Sequence, residues 1–235
     1  MSGTVGVAPG TTTFTLGNGQ TMQIADWIDD KLYSTVQLAN ASTSAVEAFG
    51  AARSQPIPGG TRPTTRVDTN VLRSGDVGLP QSWEMLVYGI SARITRVERP
   101  ATGAIQPQLA DGGGALSNAP TLQTLLSIDR LTYLEFSYNN KVYSNGTMMD
   151  YPQGGGYSVF STNANFELAQ NGVPSPRDRN ALVLPIPMRE GLSYKMVLSP
   201  EAAPVISQAA SDGGAALTFA DAKITLSGLI KKNVV

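Results

Sequence analysis

Between residues 84 and 94 every second side chain is apolar. Leu86, Tyr88, Ile90, Ala92 and Ile94 fall on one side of an extended chain, and Val87, Gly89, Ser91, Arg93 and Thr95 on the other. A period of two is the geometry of a strand in a sheet with one buried face, and it is incompatible with a helix of period 3.6. The pattern returns near the end of the sequence, where Ala222, Ile224, Leu226, Gly228 and Ile230 alternate with Lys223, Thr225, Ser227 and Leu229. Two long one-sided strands at either end of the folded body predict two sheets packed face to face, a β-sandwich.

Turn residues divide the body into eight extended pieces: 65–72, 84–97, 131–138, 141–147, 157–160 with a weaker continuation to 166, 181–188, 192–198 and 219–230. The turns are the Asn139-Asn140 pair, the Gly154-Gly155-Gly156 run and Asn171-Gly172, and a long polar connection covers 98–121. Pro185 and Pro187 stand two apart in the sixth piece, so both missing N–H donors fall on the same side. That strand is expected at a sheet edge, since a central one would lose ladder bonds. No repeat of fixed period is visible, which argues against propellers and solenoids.

Ahead of the body the period changes. Ile24, Trp27, Ile28, Leu32 and Val36 recur at steps of three and four, with Asp26, Asp29 and Asp30 near the start, where carboxylates favour the positive end of a helix. This predicts one amphipathic helix over 23–48. It is followed by a Pro/Gly linker containing Pro56, Pro58, Gly59, Gly60 and Pro63. The chain thus divides into an N-terminal arm, 1–63, made of a short strand, the helix and the linker, and a β-domain, 64–235. Trp27, Ile28, Leu32 and Val36 are the candidate assembly interface: an apolar stripe that either docks on a neighbouring subunit or caps its own barrel.

Composition removes most chemistry. The 235 residues suffice for one large all-β domain, and only 15% of them are charged, with 24 Gly and 15 Pro. Lys and Arg number 17 against 18 Asp and Glu, a formal net charge of -1, so there is no electrostatic footprint for nucleic acid. There is no Cys, hence no disulfide or thiolate site. There is no His either, which removes the commonest general base and transition-metal ligand. Met1 to Gly10 lacks the charge and apolar core of a secretory leader, and no apolar run approaches the ~20 residues that cross a bilayer, so a cytoplasmic origin is expected.

A specific order of short motifs then emerges. Asp68-Thr69-Asn70-Val71-Leu72-Arg73-Ser74-Gly75 leads to Gly78-Leu79-Pro80 and a Gly89-Ile90 strand. Phe136, Lys141-Val142-Tyr143, Tyr151-Pro152-Gln153-Gly154-Gly155-Gly156, Asn171-Gly172-Val173-Pro174, Leu184-Pro185-Ile186-Pro187 and Leu226-Ser227-Gly228-Leu229 follow. Over residues 64–233 this order resembles the jelly-roll major capsid proteins of tailless icosahedral bacterial or archaeal viruses. The resemblance implies a single eight-stranded jelly roll and a structural virion protein that self-assembles into an icosahedral shell around the genome. Its implied partners are other copies of itself and other virion proteins, and its implied location is the virion, assembled in the host cytoplasm. The family offers no catalytic, cofactor or metal residues, and no cofactor is expected. The arm lacks the basic residues that condense RNA, so direct sequence-specific nucleic-acid binding is not expected. The Asp-bearing polar face of the helix argues against anionic lipid, leaving contact with an internal membrane unsupported.

Other readings of individual residues are weaker. Glu84, Glu135 and Glu167 are the carboxylates available for glycosidase-type chemistry, but strand-borne Glu is more often a solvated face residue. Asp29-Asp30 and Asp111 lack the spacing of a calcium loop. Tyr133, Tyr138, Tyr143, Tyr151 and Tyr157 fit a sugar-binding platform or an aromatic core. The alternative class is therefore a non-enzymatic β-sandwich binding module, lectin-like or a virion spike or minor capsid protein.

Overall fold

A computed structural model of the chain describes residues 13–15, 21–23, 27–98, 128–153, 158–163, 166–170, 180–203 and 219–232. In chain order the strands are β1 (Thr13–Thr15), β2 (Thr21–Gln23), β3 (Trp27–Ala39), β4 (Val46–Ala48), β5 (Trp83–Glu98) and β6 (Thr132–Tyr138). After them come β7 (Lys141–Thr147), β8 (Ser158–Asn163), β9 (Phe166–Gln170), β10 (Asn180–Arg189), β11 (Tyr194–Pro200) and β12 (Phe219–Lys232). Two antiparallel four-stranded sheets carry the fold, one in the order β10-β5-β12-β3 and the other β4-β11-β6-β7. β1-β2 and β8-β9 are separate hairpins. The described residues are mostly β, in two packed sheets, as the alternating runs predict.

One core joins the two sheets. Leu32, Val36 and Leu38 of β3, Ile90, Ala92 and Ile94 of β5, and Ala222, Ile224, Leu226 and Ile230 of β12 face Leu134 and Phe136 of β6 and Tyr194, Met196 and Leu198 of β11. Truncating one of these leucines to Ala removes about 2–5 kcal/mol by lost burial and the cavity left behind. The tight Asn139-Asn140 turn works as the sequence implies. Both residues have positive φ, 48° and 60°, which Asn tolerates and which a two-residue hairpin between twisted strands requires.

The helix expected over 23–48 is not formed. Trp27–Ala39 is a strand of 13 residues paired along its whole length with β12, from Trp27 opposite Lys231 to Ala39 opposite Phe219. The four-residue steps Ile28, Leu32, Val36 are even-numbered, so they satisfy a period of two as well as one of 3.6. The residues that complete the strand face are Ser34, which is small and polar, and Leu38. Ser34 escapes a hydrophobic count, yet it is buried and its Oγ accepts a bond from the Phe49 backbone N–H at 3.0 Å. Tyr33, Thr35 and Val36 supply the β-branched and aromatic bulk that suits a sheet.

The division into an arm and a body also gives way. β3 lies in one sheet and β4 in the other, so the segment read as an arm supplies an edge strand to each. Nor is 50–63 a free linker. Phe49 and Ile57 are buried, Pro58 O accepts from Gln37 N at 2.8 Å, and Pro56 bridges Pro63. Gly59 lies close against the backbone of β3: with φ at +80°, a Cβ there would sit 2.1 Å from Gln37 O. Conversely, 65–72 is not the first strand of the body. Asp68 accepts from Thr65 N and Thr65 Oγ1, both at 2.8 Å, and Asp68 N and Thr69 N return to Thr65 O. These local bonds compete with a ladder and curl the chain into a turn.

β5 holds a further correction. Gly89 pairs with Ser227 and Val87 with Gly228, so Tyr88 is an extra residue that the register with β12 skips. A bulge of this kind reverses side-chain parity. Met85 and Val87 face the core before it, and Ile90, Ala92 and Ile94 after it, whereas Leu86 and Tyr88 lie on the other face. Gly228 sits against the bulge, where a Cβ would lie 2.3 Å from Leu86 O. Backbone cannot yield as a side chain can. Gly228→Val is expected to cost about 1–3 kcal/mol, read as a lower urea midpoint with the slope unchanged.

Candidate functional site

The four residues of the candidate assembly stripe do not form one. Leu32 and Val36 point into the core and are inaccessible, while Trp27 is half-buried on the opposite face of β3. Only Ile28, 55% exposed at the strand's end, is open to solvent. A helix would have set all four on one side. A strand places three on the inner face and Trp27 on the outer.

Glu84 lies in β5 and Glu135 in β6, on different sheets, and Glu167 lies in β9 of the separate hairpin. Asp29 accepts from Tyr88 OH at 2.8 Å, and Asp30 from Lys31 N and Lys232 Nζ, each at 2.8 Å. Lys232 also sits 4.7 Å from the Trp83 ring centroid. Asp111 and Tyr157 lie outside the described residues. Among the described residues no three His, Cys, Asp or Glu side chains gather as metal ligands. Tyr138 and Tyr151 are buried, Tyr151 OH bonding Ser144 Oγ at 2.8 Å, while Tyr143 stays exposed 6.1 Å from Tyr138. The tyrosines are thus divided between core and surface.

The outer face of the β3 sheet carries a polar cluster that no sequence pattern signals. Arg62 makes a two-bond fork to Asp68, both at 2.8 Å, and reaches Asp221 of β12 at 2.9 Å. The other Asp221 oxygen accepts from Gln37 Nε2 at 3.0 Å. The Asp221 side chain is only 1% exposed and that of Arg62 20%. Burial by itself raises the Asp68 carboxyl, but the bonds from Arg62 and Thr65 outweigh it, and its pKa lies below the usual value. Beside the cluster, Lys223 Nζ lies 3.9 Å from the Tyr33 ring centroid and donates to Val67 O at 2.9 Å. Desolvation, helped by nearby Arg93, lowers the Lys223 pKa. Thr35 Oγ1 donates to Asp68 O, and Asn70 bonds the backbone of Tyr33 and Lys31. This cluster clasps 62–70 along β3 and β12.

Two surface features remain. An open groove of about 780 Å³ runs beside the ends of β3 and β4, walled by apolar residues such as Ala45, Val46 and Pro58 together with Gln37, Ser42, Ser44 and Gln55. Glu47 and Asp76 stand at the groove. Partial burial, with the Asp76 charge second, raises the Glu47 pKa, while Lys195 lies 3.8 Å away. At the other edge of the same sheet, β10 departs from β5: Ala181 pairs with Gly89 and Ile186 with Val87, leaving residues 182–185 to bulge out opposite Tyr88 alone. Val183 is 97% exposed and Leu184 78%. β10 is the edge strand that Pro185 and Pro187 predict.

Comparison of the chain with protein-family models, with curated proteins and with solved structures finds no match.

Proposed function

We propose that the chain is a major capsid protein: the repeating subunit of an icosahedral viral shell, folded as a single jelly roll. The observation that carries the reading is the pairing of the sandwich strands. Taken in chain order, β3, β4, β5, β6, β7, β10, β11 and β12 pair first with last, β3 with β12, then β4 with β11, β5 with β10 and β6 with β7. That is one antiparallel ribbon folded back on itself. Its wrapping brings β12 beside β5 and β11 beside β6, dividing the ribbon into two sheets. Such wrapping supports a jelly-roll plan, which capsid and lectin domains share.

Fold alone does not choose between those two uses. The motif order over 64–233 favours the shell, as does a surface poor in charge, with apolar side chains standing out at its edges. In this reading the partners are further copies of the chain and other virion proteins, the location is the virion, and the role is structural rather than catalytic. Light scattering coupled to size exclusion, run over a range of protein and salt concentrations, tests it. A shell subunit passes from capsomer to megadalton species as concentration rises. A lectin-like module keeps one small mass throughout and changes elution only when a glycan is added, an outcome that contradicts the proposal.

A further inference from the structure

We infer that the β10 bulge of one subunit seats in the β3/β4 groove of the next, a head-to-tail contact between copies of this chain. The inference deepens the shell reading and rests on it for why copies meet.

The bulge is built to present side chains. Residues 182–185 leave the ladder with β5, and the two that project furthest into water, Val183 and Leu184, are both large and aliphatic. Side chains of this kind are ordinarily covered when they stand together on a rigid projection. Pro185 and Pro187 remove N–H donors from this edge, so another strand cannot simply add to it. What binds here must therefore take the side chains rather than the backbone, and that calls for a cleft.

The chain supplies such a cleft itself. Its Ala, Val and Pro side chains are interleaved with Gln37, Ser42, Ser44 and Gln55, and at about 780 Å³ the groove has room for two aliphatic side chains. Charge is compatible with the fit: Glu47 and Asp76 stand at the groove, while β10 contains no carboxylate and one cation, Arg189. Position decides the symmetry. β10 and β3 are opposite edges of one sheet, and the groove lies on the β3 side, continuous with β4. A bulge at one edge and a cleft at the other cannot satisfy each other in a two-fold dimer by a single contact. They repeat head to tail, and such contacts close into rings when the rotation allows. Each contact is small, so it holds through repetition around a closed assembly.

Cysteine cross-linking tests this directly, because the chain has no Cys of its own. Leu184→Cys and Ala45→Cys are prepared separately in the full chain; both positions are exposed, and thermal melts establish that the variants fold. Under mild oxidation a 1:1 mixture is expected to give a disulfide-linked dimer in at least tenfold greater yield than either variant alone. The result that overturns the inference is a mixture that cross-links no better than its components. In parallel, Leu184→Asp is expected to abolish species larger than the monomer without lowering the melting temperature, and normal particles from this variant would equally overturn the contact while leaving the shell reading in place. Cross-linking of the mixture by a chain that builds no particles would uphold the contact and remove the shell.

Discussion

Arg62→Ala is expected to lower folding stability by about 3 kcal/mol, the low end of the range for breaking a buried ion pair. The loss comes from what stays behind. Asp221 keeps its bond from Gln37, but its other oxygen, almost wholly shielded from water, loses the guanidinium. Asp68 retains Thr65 and is hurt less. Because Arg62 is itself 20% exposed, some water reaches the gap, which sets the estimate at the lower end. A double variant, Arg62→Met with Asp221→Leu, removes both charges and should recover most of the loss. Chemical denaturation of the three proteins measures this, and an Arg62→Ala protein as stable as the parent would show that the cluster holds nothing together. The cluster also sets an acid limit. The folded-state pKa of Asp68 is depressed, so its contribution is complete above the ordinary carboxylate value of ~3.9 and is lost as pH falls through the lower, folded value.

Deleting residues 1–48 should abolish folding altogether. The deletion removes β3 and β4, strips β12 of a partner along 13 positions and uncovers Ile224 and Leu226 on the inner face. A domain has a net stability of only about 5–15 kcal/mol, and losing the buried Leu32, Val36 and Leu38 at ~2–5 kcal/mol each already matches that margin before the bared ladder is counted. The truncated protein is expected to lack a cooperative thermal transition and to aggregate. A soluble fragment that melts cooperatively would restore the picture of an independent body carrying a dispensable arm.

The two outcomes trace what sequence can and cannot reveal here. In β12, β11 and β6 the alternation is strong enough that each strand falls within two residues of where the pattern puts it. Pro185 and Pro187 mark an edge because a missing N–H has a local, one-sided consequence. β3 is misread because Ser34 breaks its apolar face and Ile28, Leu32 and Val36 lie four apart, a spacing shared by both periods. Only pairing with β12, nearly 200 positions further on, decides for the strand. The Tyr88 bulge inverts the face of Leu86 for a similar reason: an extra residue shows only against its neighbour.

The candidate site follows the same division. Trp27, Ile28, Leu32 and Val36 are apolar as the sequence says, but which of them meets water depends on the sheet they join. Arg62 and Asp221 stand 159 residues apart and carry no pattern that links them. Val183 and Leu184 read as ordinary strand residues between a polar loop and two prolines. Their exposure arises from the register of β10 on β5, beyond the reach of any local rule.

Electron microscopy of the purified protein at high concentration tests the central claim most directly. The account predicts closed, hollow particles of one diameter with icosahedral symmetry, built from subunits whose sandwich begins at Trp27. A field of monomers at every concentration and salt would contradict it.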